Sequence, residues 1–179
     1  MISTKIRYNL LRKILNKKLS GSMKVLDVGC GDGQISSLIE KECGCDLYTT
    51  DIDDYGKYKN KVKFKIKSEG RLPFKSNSFD AVLFIDSLHH SKDPVRELSE
   101  GVRVAKSKVF ILETKPDKLT IFFDFVLNYF HNKNMRKPNM YPLKKWIDIF
   151  NKNEYNYTYK IYPRGLYPVT HYFLIINKK

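Results

Sequence analysis

The stretch KVLDVGCGDGQIS, Lys24 to Ser36, sets an apolar run against three glycines at alternate positions and then resumes apolar residues at helical intervals, Ile35, Leu38 and Ile39. Strand, tight turn and helix are the elements that pattern predicts, with Gly44 ending the helix. A turn of that kind lets backbone come close to a ligand, because glycine lacks the Cβ that would block the approach. The rest of the chain decides what architecture surrounds it.

Downstream, DLYTTDIDD reads as a second strand closing on acids, and VKFKIK as a third. In the third, Val62, Phe64 and Ile66 alternate with lysines, so one face of it meets water. SFDAVLFID is nearly continuous in apolar residues, as a central strand covered on both faces would be. KDPVRELSEGVRVA follows as a helix with Pro94 in its first turn. SKVFILET is a fifth strand, and DKLTIFFDFVLNYF a helix apolar on all sides but the line Thr120, Asp124 and Asn128, expected mainly in the core. YPLKKWIDIFNK is a further short helix, and YNYTYKIY and THYFLIINK are two closing strands. Strands and helices in alternation imply an open, mostly parallel α/β sheet layered by helices. A chain of 179 residues suits one domain, 1–179, with no repeat or low-complexity linker in it.

In such a sheet, ligands sit at the carboxyl ends of the strands. The glycine spacing then bears on which ligand. A dinucleotide fingerprint needs its third glycine five places after the first, but Gln34 stands there and the third glycine is Gly33. No GK followed by Ser or Thr occurs either, so the phosphate-binding loops fit poorly. Asp27, two residues before Gly29, would repel a pyrophosphate and attract a cation. Asp51, at the end of the second strand, is placed to accept hydrogen bonds from two ribose hydroxyls. A ligand with a ribose, a positive centre and no phosphate suits both acids, and S-adenosylmethionine has those features.

The segments VLDVGCGDGQ, TTDID, EGRLPFKSNSFDAVLFIDSLHH and DPVRELSEGVRV together resemble the class I S-adenosylmethionine-dependent methyltransferases, closest to the small-molecule and lipid type with an LPF segment. The resemblance covers Lys24 to about Glu113. It implies a three-layer sandwich around a seven-stranded sheet of order 3-2-1-4-5-7-6, with the last strand antiparallel. It also implies an N-terminal amphipathic helix over 1–20, a cofactor-binding core over 24–113 and an acceptor side over 114–179. Carried over by position, Asp27, Gly29, Cys30, Gly31 and Gly33 surround the methionine moiety, Asp51 holds the ribose, and Ile52 lies against the adenine. Asp86 and Ser87 line the floor, and His89 and His90 face the acceptor, either one being the candidate base for a hydroxyl or enol.

Relatives place an Asp four residues before the Leu of LPF to meet the adenine amino group. Here that position is Ser68, with Glu69 beside it, and either can serve. Only ten residues, Ile52 to Lys61, separate Asp51 from the third strand, so the helix there is expected to be shortened. The family's Pro-Gly-Gly turn before the fifth strand is replaced by AKSKV, which shortens that loop.

Charge and cysteine content bound the partners. The net charge is +14, and no acid precedes Asp27 or follows Glu154. Such an excess attracts RNA or an anionic membrane surface without sequence preference. The N-terminal helix is expected to bury Ile2, Ile6, Leu10 and Ile14 and to turn its lysines and arginines outward. Lys133, Arg136, Lys137, Lys144 and Lys145 would rim the acceptor entrance. A single-stranded RNA site would interleave aromatics with such residues, and near the entrance only Tyr129, Phe130 and Tyr141 offer that. Cys30, Cys43 and Cys45 match neither a disulfide set nor a metal spacing, so reduced thiols and no metal are expected. No signal peptide or apolar run of roughly 20 residues appears, which places the chain in the cytoplasm. The leading reading is methyl transfer to a small or lipid-like acceptor. Its alternatives are RNA methylation on the basic surface, a cofactor-binding module without turnover, and a nucleotide-dependent dehydrogenase.

Overall fold

A computed structural model describes residues 8–9, 11–12, 15, 17–52, 63–65, 70–122, 138–162 and 169–178, with backbone alone for 63–65. In chain order the elements are β1 (Lys24–Val28), α1 (Gln34–Cys43), β2 (Asp46–Asp51), β3 (Lys63–Lys65), β4 (Phe79–Ile85), a 3-10 turn (Leu88–His90), α2 (Pro94–Val104), β5 (Ala105–Thr114), α3 (Leu143–Lys152), β6 (Asn156–Tyr162) and β7 (His171–Asn177).

The seven strands form one sheet of order β3-β2-β1-β4-β5-β7-β6, as the resemblance implies. The pairings from β3 through β5 are all parallel, whereas β7 runs antiparallel to both β5 and β6. All carboxyl ends of β1, β2, β4 and β5 therefore open on one side of the molecule, which is where a ligand can reach turns from several strands at once.

Period-two alternation divides the apolar residues between two cores. Val28, Val82, Phe84, Ile111 and Leu174 meet α2 and α3 through Leu98, Trp146 and Phe150 on one face. On the other, Val25, Leu47, Leu83, Phe110 and Phe173 meet Ile39 of α1 together with Tyr8, Leu11 and Leu15. That is the expected three-layer arrangement, each central strand being dry on both sides.

Several boundaries shift for identifiable reasons. β5 starts at Ala105, directly after Val104 ends α2, so no loop separates helix from strand. A register shift between Phe79 and Ala81 takes up the change of direction. In the N-terminal segment the stripe seen buried is Tyr8, Leu11, Leu15 and Leu19, at helical spacing. The residues expected to be buried there, Ile2, Ile6, Leu10 and Ile14, lie outside the described residues.

The helix expected after β5 is described only over 118–122, and there it reverses the expected burial. Thr120 is 2% exposed, while Leu119, Ile121 and Phe122 are 37%, 49% and 60% exposed. The cause is local: Asp117 Oδ1 accepts from both the backbone N–H and the hydroxyl of Thr120, at 3.0 and 3.1 Å. That cap turns the threonine inward and the apolar residues outward. The shortened helix after β2, Asp124, Asn128 and the third strand's lysine side chains lie outside the described residues. Among the described residues no helix is long and apolar enough to cross a membrane.

Candidate active site

The glycine turn grows directly out of β1, and its shape is dictated by what lies beside it. Gly29 has φ +74°, and a Cβ there would sit 2.5 Å from Cβ of Ser87, so the end of β4 packs against the turn only because residue 29 is glycine. Gly31, at φ +56°, has no atom within 4 Å of where its Cβ would be. One glycine thus brings strands together, and the next leaves space beside the backbone.

Two buried carboxylates support this turn from below and from the side. Asp27, 2% exposed, accepts a 2.6 Å hydrogen bond from the Ser36 hydroxyl and so ties β1 to α1. Asp51, 7% exposed at the end of β2, accepts from the N–H of Gly31 at 2.7 Å. The N–H groups of Gly29 and Cys30 donate to the carbonyl of Thr50, at 2.8 and 3.3 Å. Beside a turn held by two carboxylates, a diphosphate would be repelled, whereas a ligand with an ammonium or sulfonium centre gains favourable charge. Cys30 is half-buried in the turn, and Ile52 is half-buried just past β2. Ser68 and Glu69 lie outside the described residues.

The LPF segment is fixed by an ion pair on α2. Arg103 donates to the carbonyls of Leu72 and Phe74, at 3.0 and 2.9 Å, and its Nε to Glu100 at 2.7 Å. Glu100 in turn accepts from the N–H of Leu72 at 2.7 Å. The Arg103 hydrogen bond is the leading reason that the Glu100 carboxyl lies below its ordinary range, with the Leu72 N–H adding to it.

Past β4 the chain turns sharply at Asp86, whose φ is +48°. The two histidines that follow are not equivalent: His89 is buried and His90 is exposed. His89 Nδ1 lies 2.5 Å from Oε2 of Glu113, and Oε1 of the same carboxylate accepts from the N–H of Leu88 at 2.8 Å. The His89 carbonyl accepts from the N–H of Asn139 at 2.6 Å. A second pair adjoins the first, Nε2 of buried His171 lying 3.7 Å from Oδ1 of half-buried Asp86. Glu113 and His171 were not singled out from the sequence. They stand at the end of β5 and the start of β7, and no local motif marks either. Among the described residues no cluster of three or more His, Cys, Asp or Glu could hold a metal ion.

A mostly parallel sheet with this strand order and an antiparallel β7, a glycine turn free of phosphate-binding spacing and an acid at the end of β2 define a class I methyltransferase fold. A methyltransferase-domain family matches residues 26–112. The ubiquinone/menaquinone biosynthesis C-methyltransferase of Citrifermentans bemidjiense is 28% identical over 69% of this chain and 65% of its own. A sterol 24-C-methyltransferase of Gibberella zeae is 35% identical over 51% of this chain and 27% of its own. Magnesium protoporphyrin IX methyltransferase of Synechocystis, solved with bound S-adenosylhomocysteine, superposes with a TM-score of 0.68 at 16% identity, covering 98% of this chain and 83% of that one. Residues 26–112 are thus matched by the methyltransferase-domain family, and the fold is that of the class I S-adenosylmethionine-dependent methyltransferases. The chain spans between 19% and 65% of the length of the first curated relatives it matches.

Proposed function

We propose that the protein transfers a methyl group from S-adenosylmethionine to a small or lipid-like acceptor that gives up a proton in the reaction, from a hydroxyl, an enol or an acidic C–H. The buried His89–Glu113 pair carries this reading. Methyl transfer is an in-line displacement at a carbon already activated by the sulfonium, so binding and alignment supply most of the catalysis. An acceptor with a free amine lone pair needs no base, whereas an O–H or C–H acceptor does. A carboxylate that already accepts from one backbone N–H and faces His89 Nδ1 favours the proton on Nδ1. The opposite nitrogen of the neutral ring is then the basic one, and the carboxylate offsets the charge formed on protonation.

The roles assigned to the other residues follow from their places. The turn from Asp27 to Gly33 receives the methionine moiety, where the Cβ-free space at Gly31 admits it. Asp51 accepts from the ribose hydroxyls, Ile52 covers the adenine, and Asp86 and Ser87 form the floor. Ser68 or Glu69 meets the adenine amino group. The acceptor loses its proton to His89, its electron pair forms the new bond to the methyl carbon, and the C–S electrons leave with sulfur. The quinone, sterol and porphyrin methyltransferases that the chain resembles favour acceptors of that size. Exposed Leu119, Ile121 and Phe122 next to Lys115 and Lys118 favour an acceptor with an apolar body.

The test is transfer of labelled methyl to a panel of quinols, catechols and enols set against primary and secondary amines. Turnover confined to the first group is expected. Transfer to amines alone, unaffected by His89→Ala, would contradict the assignment.

A further inference from the structure

We infer that the outer edge of the sheet carries a docking groove for single-stranded nucleic acid, separate from the methyl-transfer site. β6 pairs only with β7 among the described residues, so its other side is an open edge of the sheet. Thr158, Tyr159, Lys160 and Ile161 are all exposed on it. On the face that packs against the N-terminal segment, β6 and β7 meet Lys17 and Lys18 around a groove of about 290 Å³. Its character is set by Lys17, Lys18, Lys160, Tyr159, Tyr162 and Phe173, and no described lining residue carries a carboxylate.

Cations interleaved with aromatic faces are what a single strand requires, the cations for phosphate and the rings for bases. Both are present here. Lys160 Nζ lies 5.2 Å from the centroid of the half-buried Tyr162 ring, on the same face of the sheet as Phe173. Unpaired backbone groups of the β6 edge add donors and acceptors beside the groove. The volume is at the small end of the roughly 300–1,000 Å³ usual for ligand clefts, so it admits one nucleotide unit and excludes a duplex. A concave site also disfavours a membrane surface, which needs a flat or protruding face. The net charge of +14 supplies long-range attraction for the same polyanion.

The experiment is fluorescence anisotropy with a short labelled oligouridylate, read between about 50 and 200 mM salt. Wild type is expected to bind at the low end and to lose affinity as salt rises. The triple variant Lys17→Gln, Lys18→Gln, Lys160→Gln is expected to flatten the log–log salt slope by about 2, since each phosphate contact on a single strand contributes about 0.7. Tyr162→Ala is expected to weaken binding about 5- to 100-fold with the slope unchanged, the signature of lost stacking. Lys144→Gln with Lys145→Gln, outside the groove, should bind as wild type does. None of these side chains is fully buried, and S-adenosylmethionine binding by each variant, measured by calorimetry, reports that the fold and the cofactor site are intact. No wild-type binding at about 50 mM salt overturns the inference. So does a triple variant that binds like wild type, or a preference for phosphatidylserine vesicles over the oligonucleotide that depends on the same four residues. None of these outcomes touches the methyl-transfer assignment, which rests on residues around the carboxyl ends of β1, β2, β4 and β5, with β7 between them and β6.

Discussion

Two halves of the ligand-facing edge are built in different ways. At the ends of β1 and β2, the contacts are short in sequence: Ser36 to Asp27 spans nine residues and Gly31 to Asp51 spans twenty. At the ends of β4, β5 and β7, His89 meets Glu113 across 24 residues, and Asp86 meets His171 from the far end of the chain. The first half is a backbone cradle braced by carboxylates, whereas the second holds two histidine–carboxylate pairs, one of them, His89 with Glu113, fully buried. A cradle of backbone and fixed acids binds; paired ionisable groups can also move a proton. Binding and chemistry are therefore expected to fail separately when each half is altered.

The largest effect is expected on the chemical half. His89→Ala should lower turnover by about 10² to 10⁴, the usual contribution of a general base, with cofactor affinity nearly unchanged. Glu113→Gln should lower it similarly by favouring the wrong ring tautomer, and should change the pH–rate profile. His90→Ala, on an exposed side chain, should have little effect. Steady-state kinetics with an acceptor from the quinol panel separates these cases. Equal losses for His89→Ala and His90→Ala would dissolve the distinction between the buried and exposed rings.

Next comes the hinge between the halves. Gly29→Ala should cost about 1–2 kcal/mol from the left-handed backbone alone, and contact with Ser87 should add to that. Gly31→Ala faces a comparable backbone cost but no contact, so chemical denaturation should show the smaller loss for it. Cofactor affinity should fall for both, because the Gly31 side chain would occupy the open space.

How much of this was legible in the sequence follows the same division. The strands and the glycine turn are legible because strands announce themselves by local alternation and the turn by spacing, whereas the strand order comes with the family resemblance. Asp27 is expected to face the ligand from its spacing before Gly29, but that one of its oxygens also holds Ser36 of α1 is not legible, because only the packed helix supplies that partner. Glu113 and His171 were missed because each gains its role from a neighbouring strand, through register. Thr120 was read as the polar line of a core helix, but Asp117 caps it inward and exposes the apolar residues around it. The aromatic and basic groove was overlooked because Lys17 and Lys160 come from opposite ends of the chain.

The smallest effect concerns the LPF segment. Glu100 has its carboxyl pKa depressed chiefly by Arg103, so its contribution to stability is present above the ordinary carboxyl range and lost as pH falls through the lower folded value. Denaturation at pH 7 and in acid should show a steeper loss for wild type than for Glu100→Gln. Parallel curves would mean that the ion pair does not hold the segment.

The binding half is tested most directly by calorimetry of S-adenosylmethionine and S-adenosylhomocysteine against wild type and Asp51→Ala. Asp51 braces Gly31 and stands where a ribose would present its hydroxyls. One-to-one binding by wild type is expected, weakened in the variant by about 1.5–3 kcal/mol for each charged hydrogen bond lost. Equal affinity in the two proteins, or tighter binding of NADH than of S-adenosylmethionine, would contradict the assignment of this cradle.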